Sequence, residues 1–273
     1  MAGIAGDAIS IGGMQIDALS QEAWAELLVD DYRANRDRSA RPRFMTSANG
    51  FVLSLQARDG EFKRLLEQAD GIDADGMSLV MASRWLGPRA LPERVATTDF
   101  FHVAARHAAS AGMSFFLLGG EERENRAAAE RVQAMYPTLR LAGRHHGYFG
   151  EADESALAAE ITAAGTDVLW VGMGVPREHR FIARNRDRLA GVTWIKSCGG
   201  LFKFLSGQDR RAPQWMQDAG LEWLFRLSLE PRRLVSRYAV TNCHAIYLMY
   251  KHRGPTGIQG PPAMGGGQVT PAS

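Results

Sequence analysis

Short apolar runs rich in β-branched and aromatic residues alternate with longer segments of helical period, and this alternation restricts the chain more than any single motif. The strand candidates are RFMTS (43–47), GIDA (71–74), MSFFLLGG (113–120), LRLAG (139–143), DVLWVGMG (167–174) and VTWIKS (192–197). Between them helix is expected at 51–68, 76–86, 99–111, 122–136, 153–164 and 177–189. Apolar strands separated by helices build a mostly parallel sheet covered on both faces, so the expected fold is α/β with a Rossmann-like core. At 273 residues the chain has room for one such core with an addition.

The alternation stops after Gly200. A run rich in Trp, Arg and Leu follows, interrupted by Pro213 and Pro231. Proline ends one helix and is tolerated in the first turn of the next, so two helices are expected there. The chain is therefore divided into a core (1–198), a basic amphipathic helical appendage (199–253) and a Gly/Pro-rich tail (254–273) with little to bury and disorder as its expectation. Residues 199–253 hold nine basic residues against four acidic ones, a surplus of +5, which leaves −3 for the rest of a chain whose formal charge is +2. A basic end on a slightly acidic body suits an anionic partner. The stretch GLEWLFRLSLEPRRLVSRY (220–238) concentrates this character, and by itself it suits a membrane surface, a nucleic acid or a bound phosphate.

Cys198 and Cys243 are too few for a disulfide framework and lack zinc-ligand spacing, which fits a reducing cytosol. The first residues lack the basic-then-apolar order of a secretory signal, and no apolar stretch approaches the ~20 residues that span a bilayer. Any meeting with a membrane is expected at its cytoplasmic face.

Ligands of open α/β sheets bind beyond the carboxyl ends of the strands. Those turns carry Thr46-Ser47-Ala48-Asn49-Gly50, Asp75-Gly76, Gly119-Gly120, Gly172-Met173-Gly174-Val175-Pro176 and Cys198-Gly199-Gly200. Asp75 reads either as a helix N-cap or as a general base at a strand mouth. Asn49 and Ser47 read as turn residues or as polar contacts to the same cleft. The glycines at 119, 120, 174 and 200 would let a pyrophosphate approach backbone amides. The first βα turn lacks GxGxxG, which argues against a dinucleotide enzyme, and no GxxxxGK[ST], GxSxG or HExxH occurs. His145, His146 and His179 are not at metal-ligand spacing. No metal is expected, and a leaving pyrophosphate would then rely on arginines.

TSAN (46–49), ADG (74–76), PERVATTD (92–99), FFLLGG (115–120), GYFG (147–150), GVPREH (174–179) and the block from Gly199 to Tyr238 occur in one order. Together they resemble the WecG/TagA/CpsF family of bacterial glycosyltransferases, over roughly residues 8 to 250. The resemblance implies inverting, metal-independent transfer of a sugar from a UDP-sugar to a polyprenyl-diphosphate-linked acceptor, in surface-polysaccharide synthesis at the inner leaflet of the cytoplasmic membrane. It implies a peripheral enzyme of a family whose members can form homo-oligomers; no nucleic-acid partner is expected, because the basic residues lie in one appendage and no recognition motif accompanies them. Carried over by residue, it makes Asp75 the base, places Asn49 and Ser47 (with Thr46 adjacent) beside it, and assigns Arg94 to substrate phosphate. Arg226, Arg233 and Arg237 would stabilise departing UDP. The family's Pro-Lys-Gln-Glu becomes Pro176-Arg177-Glu178-His179, so Glu178 takes the position of a ligand-contacting amide. Its Phe-Asp pair becomes Phe202-Lys203. These departures leave the donor sugar open.

Overall fold

A computed structural model of the chain describes residues 8–86, 89–229 and 231–253, the side chains at 233, 234, 236 and 237 excepted. The tail from 254 lies outside the described residues. The chain opens with a hairpin, β1 (Ala8–Ile11) and β2 (Met14–Asp17), and a helix, α1 (Gln21–Ala34). The core then runs β3 (Arg43–Ala48), α2 (Gly50–Gln56), α3 (Gly60–Leu66), β4 (Gly71–Ala74), α4 (Met77–Leu86), α5 (Thr97–Ala111), β5 (Ser114–Gly119) and α6 (Glu122–Met135). It continues through β6 (Arg140–His145), α7 (Glu154–Ala163), β7 (Val168–Gly172), α8 (Arg177–Asn185) and β8 (Trp194–Ser197). Four helices follow: α9 (Leu201–Leu205), α10 (Gln214–Asp218), α11 (Glu222–Leu229) and α12 (Pro231–Lys251).

All six expected strands are present, in one parallel sheet of order β4-β3-β8-β7-β5-β6. The α/β reading therefore holds. Expected helix 51–68 is two helices, because Asp59 accepts from the amides of Glu61 (2.9 Å) and Phe62 (3.0 Å) and starts α3 afresh. The hairpin and α1 were not expected from the sequence.

The period-2 alternation of strand side chains divides the core between the two faces of the sheet. On β7, Leu169 and Val171 join one apolar cluster with Phe44, Ile195 and Phe181, while Val168 and Trp170 join another with Met45, Trp194, Phe100 and Phe115. The chain leaves β3 towards β4 at one edge and leaves β5 towards β6 at the other, so the direction of winding reverses between them, over β8 and β7. Such a reversal opens a crevice at the carboxyl ends of the strands.

Packing continues across 198–199. Leu201, Phe202 and Leu205 of α9 are buried in the second cluster, and Ala245, Leu248 and Met249 of α12 are buried in the first. The appendage of two expected helices is thus three, α10 to α12, after a short α9 seated in the core. Among the described residues, no helix is long and apolar enough to cross a membrane.

Candidate active site

Asn49 and Asp75 follow neighbouring parallel strands, β3 and β4, in matching register, with Ala48 opposite Ala74. The Asn49 side-chain Oδ1 caps α2, accepting from the amides of Phe51 and Val52 at 3.1 Å each. This orients its amide nitrogen to Asp75 Oδ2, 3.4 Å away. Turn chemistry and cleft contact are therefore one arrangement. Gly76 permits it, since a Cβ there would stand 3.1 Å from Asn49 Cα.

The Asp75 carboxylate, 27% exposed, opens to the cleft. Its Oδ1 accepts from the amide of Thr97 at 3.2 Å, so the carboxylate bonds the first turn of α5, an element distant in sequence from its own helix α4. Arg94 closes the other side. Its Nε donates to the Asp75 carbonyl at 2.6 Å, and its Nη2 lies 3.8 Å from Asp75 Oδ1 and 2.7 Å from Glu222 Oε2. Burial works against the Arg94 charge, but Asp75 and then Glu222 outweigh it and hold the guanidinium pKa above its ordinary value.

Thr46 and Ser47 part company because adjacent strand residues face opposite sides of the sheet. Thr46 is buried, accepting from Ser197 Oγ at 2.7 Å and sharing a hydrogen bond with His179 Nε2 at 3.0 Å. Burial, followed by the charge of Lys196, pushes the His179 pKa down to about 3, so this imidazole is neutral. Ser47 is half-buried on the Asp75 side, 3.1 Å from Thr97 Oγ1. Of the two hydroxyls, Ser47 is the one beside Asp75.

Glu178 lies beneath the crevice. It is 2% exposed, and its Oε2 accepts from the amides of Met173 (3.2 Å), Gly174 (3.0 Å) and Gly199 (3.1 Å). The side chain assigned to a ligand therefore ties the turn after β7 to the turn after β8. Burial pushes its pKa up to about 7, with the three amides opposing. Gly119, at φ 136°, lies so close to β7 that a Cβ would meet Gly172 O at 2.1 Å. The Gly120 amide, one of those expected to face a pyrophosphate, instead donates to Gly172 O at 2.9 Å. At Gly174 and Gly200 a Cβ would meet nothing within 4 Å, so the space over these turns is open.

The sequence reading missed Glu222. It begins α11 and receives both Arg94 and Arg211, the latter at 3.8 Å, while Arg211 also pairs with Asp99 at the start of α5. These ion pairs bring the appendage to the Asp75 site; the available signal was a lone carboxylate in an arginine-rich run. Arg226 lies one helical turn beyond Glu222, exposed, its guanidinium 5.1 Å from the ring centre of Phe204. The side chains of Arg233 and Arg237 lie outside the described residues. Lys196 and Asp73, also missed, form a buried ion pair of 2.6 Å. Asp73 and Asp75 have the i, i+2 spacing of a carboxylate pair, but Asp73 turns to Lys196. Among the described residues, no three His, Cys, Asp or Glu side chains are grouped to hold a metal ion.

A cleft at the carboxyl ends of parallel strands, with a partly exposed aspartate ordered by an asparagine and flanked by arginine, is the architecture of an α/β group-transfer enzyme. Residues 9–257 match the glycosyl transferase WecG/TagA/CpsF family, and the chain belongs to that family. It is a glycosyltransferase. One relative is the N-acetylglucosaminyldiphosphoundecaprenol N-acetyl-beta-D-mannosaminyltransferase of Bacillus subtilis (strain 168), 30% identical over 202 residues, covering 72% of this chain and 77% of that protein.

Proposed function

We propose that this enzyme transfers a sugar from a UDP-sugar, with inversion, to a hydroxyl of a saccharide carried on a polyprenyl diphosphate, in the synthesis of a surface glycopolymer. The observation that carries the reading is the Asp75 carboxylate, open to the cleft and held between Asn49 and Thr97. The acceptor class comes from the relative, whose name describes an undecaprenol-diphosphate-linked acceptor.

In this mechanism the acceptor hydroxyl loses its proton to Asp75 as its oxygen attacks the anomeric carbon. The bond to UDP breaks on the opposite face. Negative charge collects on the departing diphosphate, and arginines fixed nearby can stabilise it. Arg94 stands beside Asp75 and so belongs to the acceptor side; the candidates for the diphosphate are Arg226, Arg233 and Arg237 on α11 and α12, of which α11 is tied to the site by Glu222. We assign these guanidinium groups the part a metal plays elsewhere, so activity is expected to persist in excess EDTA. Activity that vanishes with EDTA and returns with a divalent ion would replace this account of the leaving group.

In this reading the enzyme works at the cytoplasmic membrane face, and the exposed apolar side chains of α11 and α12 support these helices as the part that holds it there. The deciding assay presents a panel of UDP-sugars with a short-chain polyprenyl-diphosphate-linked saccharide and reads the product by mass spectrometry. A mass increase of one sugar on the acceptor identifies the donor. No transfer from any UDP-sugar sinks the proposal.

A further inference from the structure

The Lys196–Asp73 pair is anomalous for its place. Lys196 is 1% exposed, Asp73 4%, and their neighbours in the sheet include Met45 and Trp194 of the apolar cluster. Burying two charges is costly, and apolar residues of similar size often serve stability as well or better. The pair's other contact gives it a use.

Lys196 is paired in register with Met45 of β3, and Asp73 with Ser47. Strands on both sides of β3 thus send a charge towards the Ser47 hydroxyl. Lys196 Nζ donates to Ser47 Oγ at 2.7 Å and to Asp73 Oδ2 at 2.6 Å. An ammonium can only donate, so Ser47 must accept from it. What Ser47 retains is its one hydrogen and a second lone pair; Thr97 Oγ1 at 3.1 Å and the Asp73 carboxylate are its neighbours, and a ligand oxygen in the cleft would compete with Asp73 for that hydrogen. A hydroxyl that accepts from a cation is polarised and becomes a stronger donor. Thr97 in turn holds Asp75 through its amide.

We propose that Lys196 is a positioning residue for the transfer: it fixes Ser47 as a polarised hydroxyl donor at the cleft floor, aimed at an oxygen of the bound sugar nucleotide. Asp73, 2.6 Å from Lys196 Nζ, is its buried counter-ion. This rests on the reading of the site as one for a UDP-sugar.

The pair Lys196→Met with Asp73→Leu removes both charges together and leaves no orphaned ion, so the protein is expected to fold with a melting temperature equal to or above that of the wild type. It is compared with the parent in three backgrounds: Ser47, Ser47→Thr and Ser47→Ala. Removing a charge-assisted hydrogen bond that acts on the reacting complex is expected to lower kcat/KM roughly tenfold when a hydroxyl is present at 47. With Ser47→Ala the same pair is expected to change kcat/KM by less than about twofold, because its effect passes through the hydroxyl. An equal loss in all three backgrounds would assign the pair to structure alone, and no loss in any would remove it from the reaction; either overturns the proposal. A wild-type protein that transfers no sugar overturns the parent reading and this one together, and is seen before any variant is made.

Discussion

Asp75 stands in a position that charge and access decide together. Its carboxylate accepts from Asn49 and Thr97, lies near Arg94, and still opens to the cleft. A positioned base contributes roughly 10²–10⁴ in rate, so Asp75→Asn is expected to lower kcat by that factor. Steady-state kinetics on folded protein checks this; most of the wild-type rate surviving would move the base elsewhere. Glu178 allows a second test, through stability. Its folded pKa of about 7 exceeds the ordinary 4.5, so the native state binds this proton more tightly than the unfolded chain. The native state is therefore favoured by this group at low pH, and the benefit is lost as pH rises from the ordinary value through about 7. Glu178→Gln does not titrate. Relative to wild type, its melting temperature is expected to climb across that window and to hold a constant offset above it. A difference that is flat with pH would show an unshifted Glu178, its three amides offsetting burial. The sequence marked Glu178 as a departure from the family's amide but could not show its direction, because whether a polar side chain faces ligand or backbone is set by the turns around it. Asp75 and Asn49 were legible because their place after β3 and β4 follows from strand pattern alone.

At the scale of elements, the strands were readable because each is a short apolar run, and their parallel order followed from the helices between them. The hairpin was missed although its signal is present: AISI-GG-MQID has two glycines between alternating runs, and Gly12 and Gly13 both take positive φ, at 59° and 84°, as a tight hairpin turn requires. What no period could reveal is how the appendage meets the core, since Arg94, Glu222 and Arg211 lie far apart in sequence and meet only through the fold. Arg94 and Glu222 are 17% and 16% exposed in their side chains, so their pair is well shielded from solvent. Glu222→Gln removes the charge that both arginines share and is expected to cost roughly 1–3 kcal/mol of local stability at the start of α11. Hydrogen exchange should then quicken at the α11 amides while those of β5 and β7 keep their protection. Unchanged exchange in α11 would mean that contacts such as Trp223 with Tyr238 hold the helix instead.

The whole molecule is polarised. Its cleft opens beside α11, and the outer surfaces of α11 and α12 carry apolar side chains that the core does not use. Val235, Cys243, Ile246 and Tyr250 recur at helical spacing along exposed α12, Ile246 at 63% and Tyr250 at 57% exposure. The guanidinium of Arg253 lies over the Tyr250 ring at 3.8 Å, and Lys251 Nζ near that of Tyr247 at 5.8 Å, so cations border the apolar stripe. A helix of this kind settles in a lipid interface through apolar burial and attraction to anionic headgroups. The same helix packs through Ala245, Leu248 and Met249 on the core, which would hold the cleft at a fixed distance from that interface. The pair Ile246→Glu and Tyr250→Glu alters only the outward face. Full-length protein is expected to float with anionic vesicles and the doubly substituted protein to remain in the dense fraction. Transfer to a short, water-soluble acceptor should be unaffected, whereas transfer to a full-length polyprenyl acceptor embedded in vesicles should fall steeply. Undiminished flotation would move the membrane contact to another surface. Loss of flotation with undiminished transfer to the embedded acceptor would separate membrane binding from catalysis, and equal loss on both acceptors would mean the substitutions reach the cleft through α12.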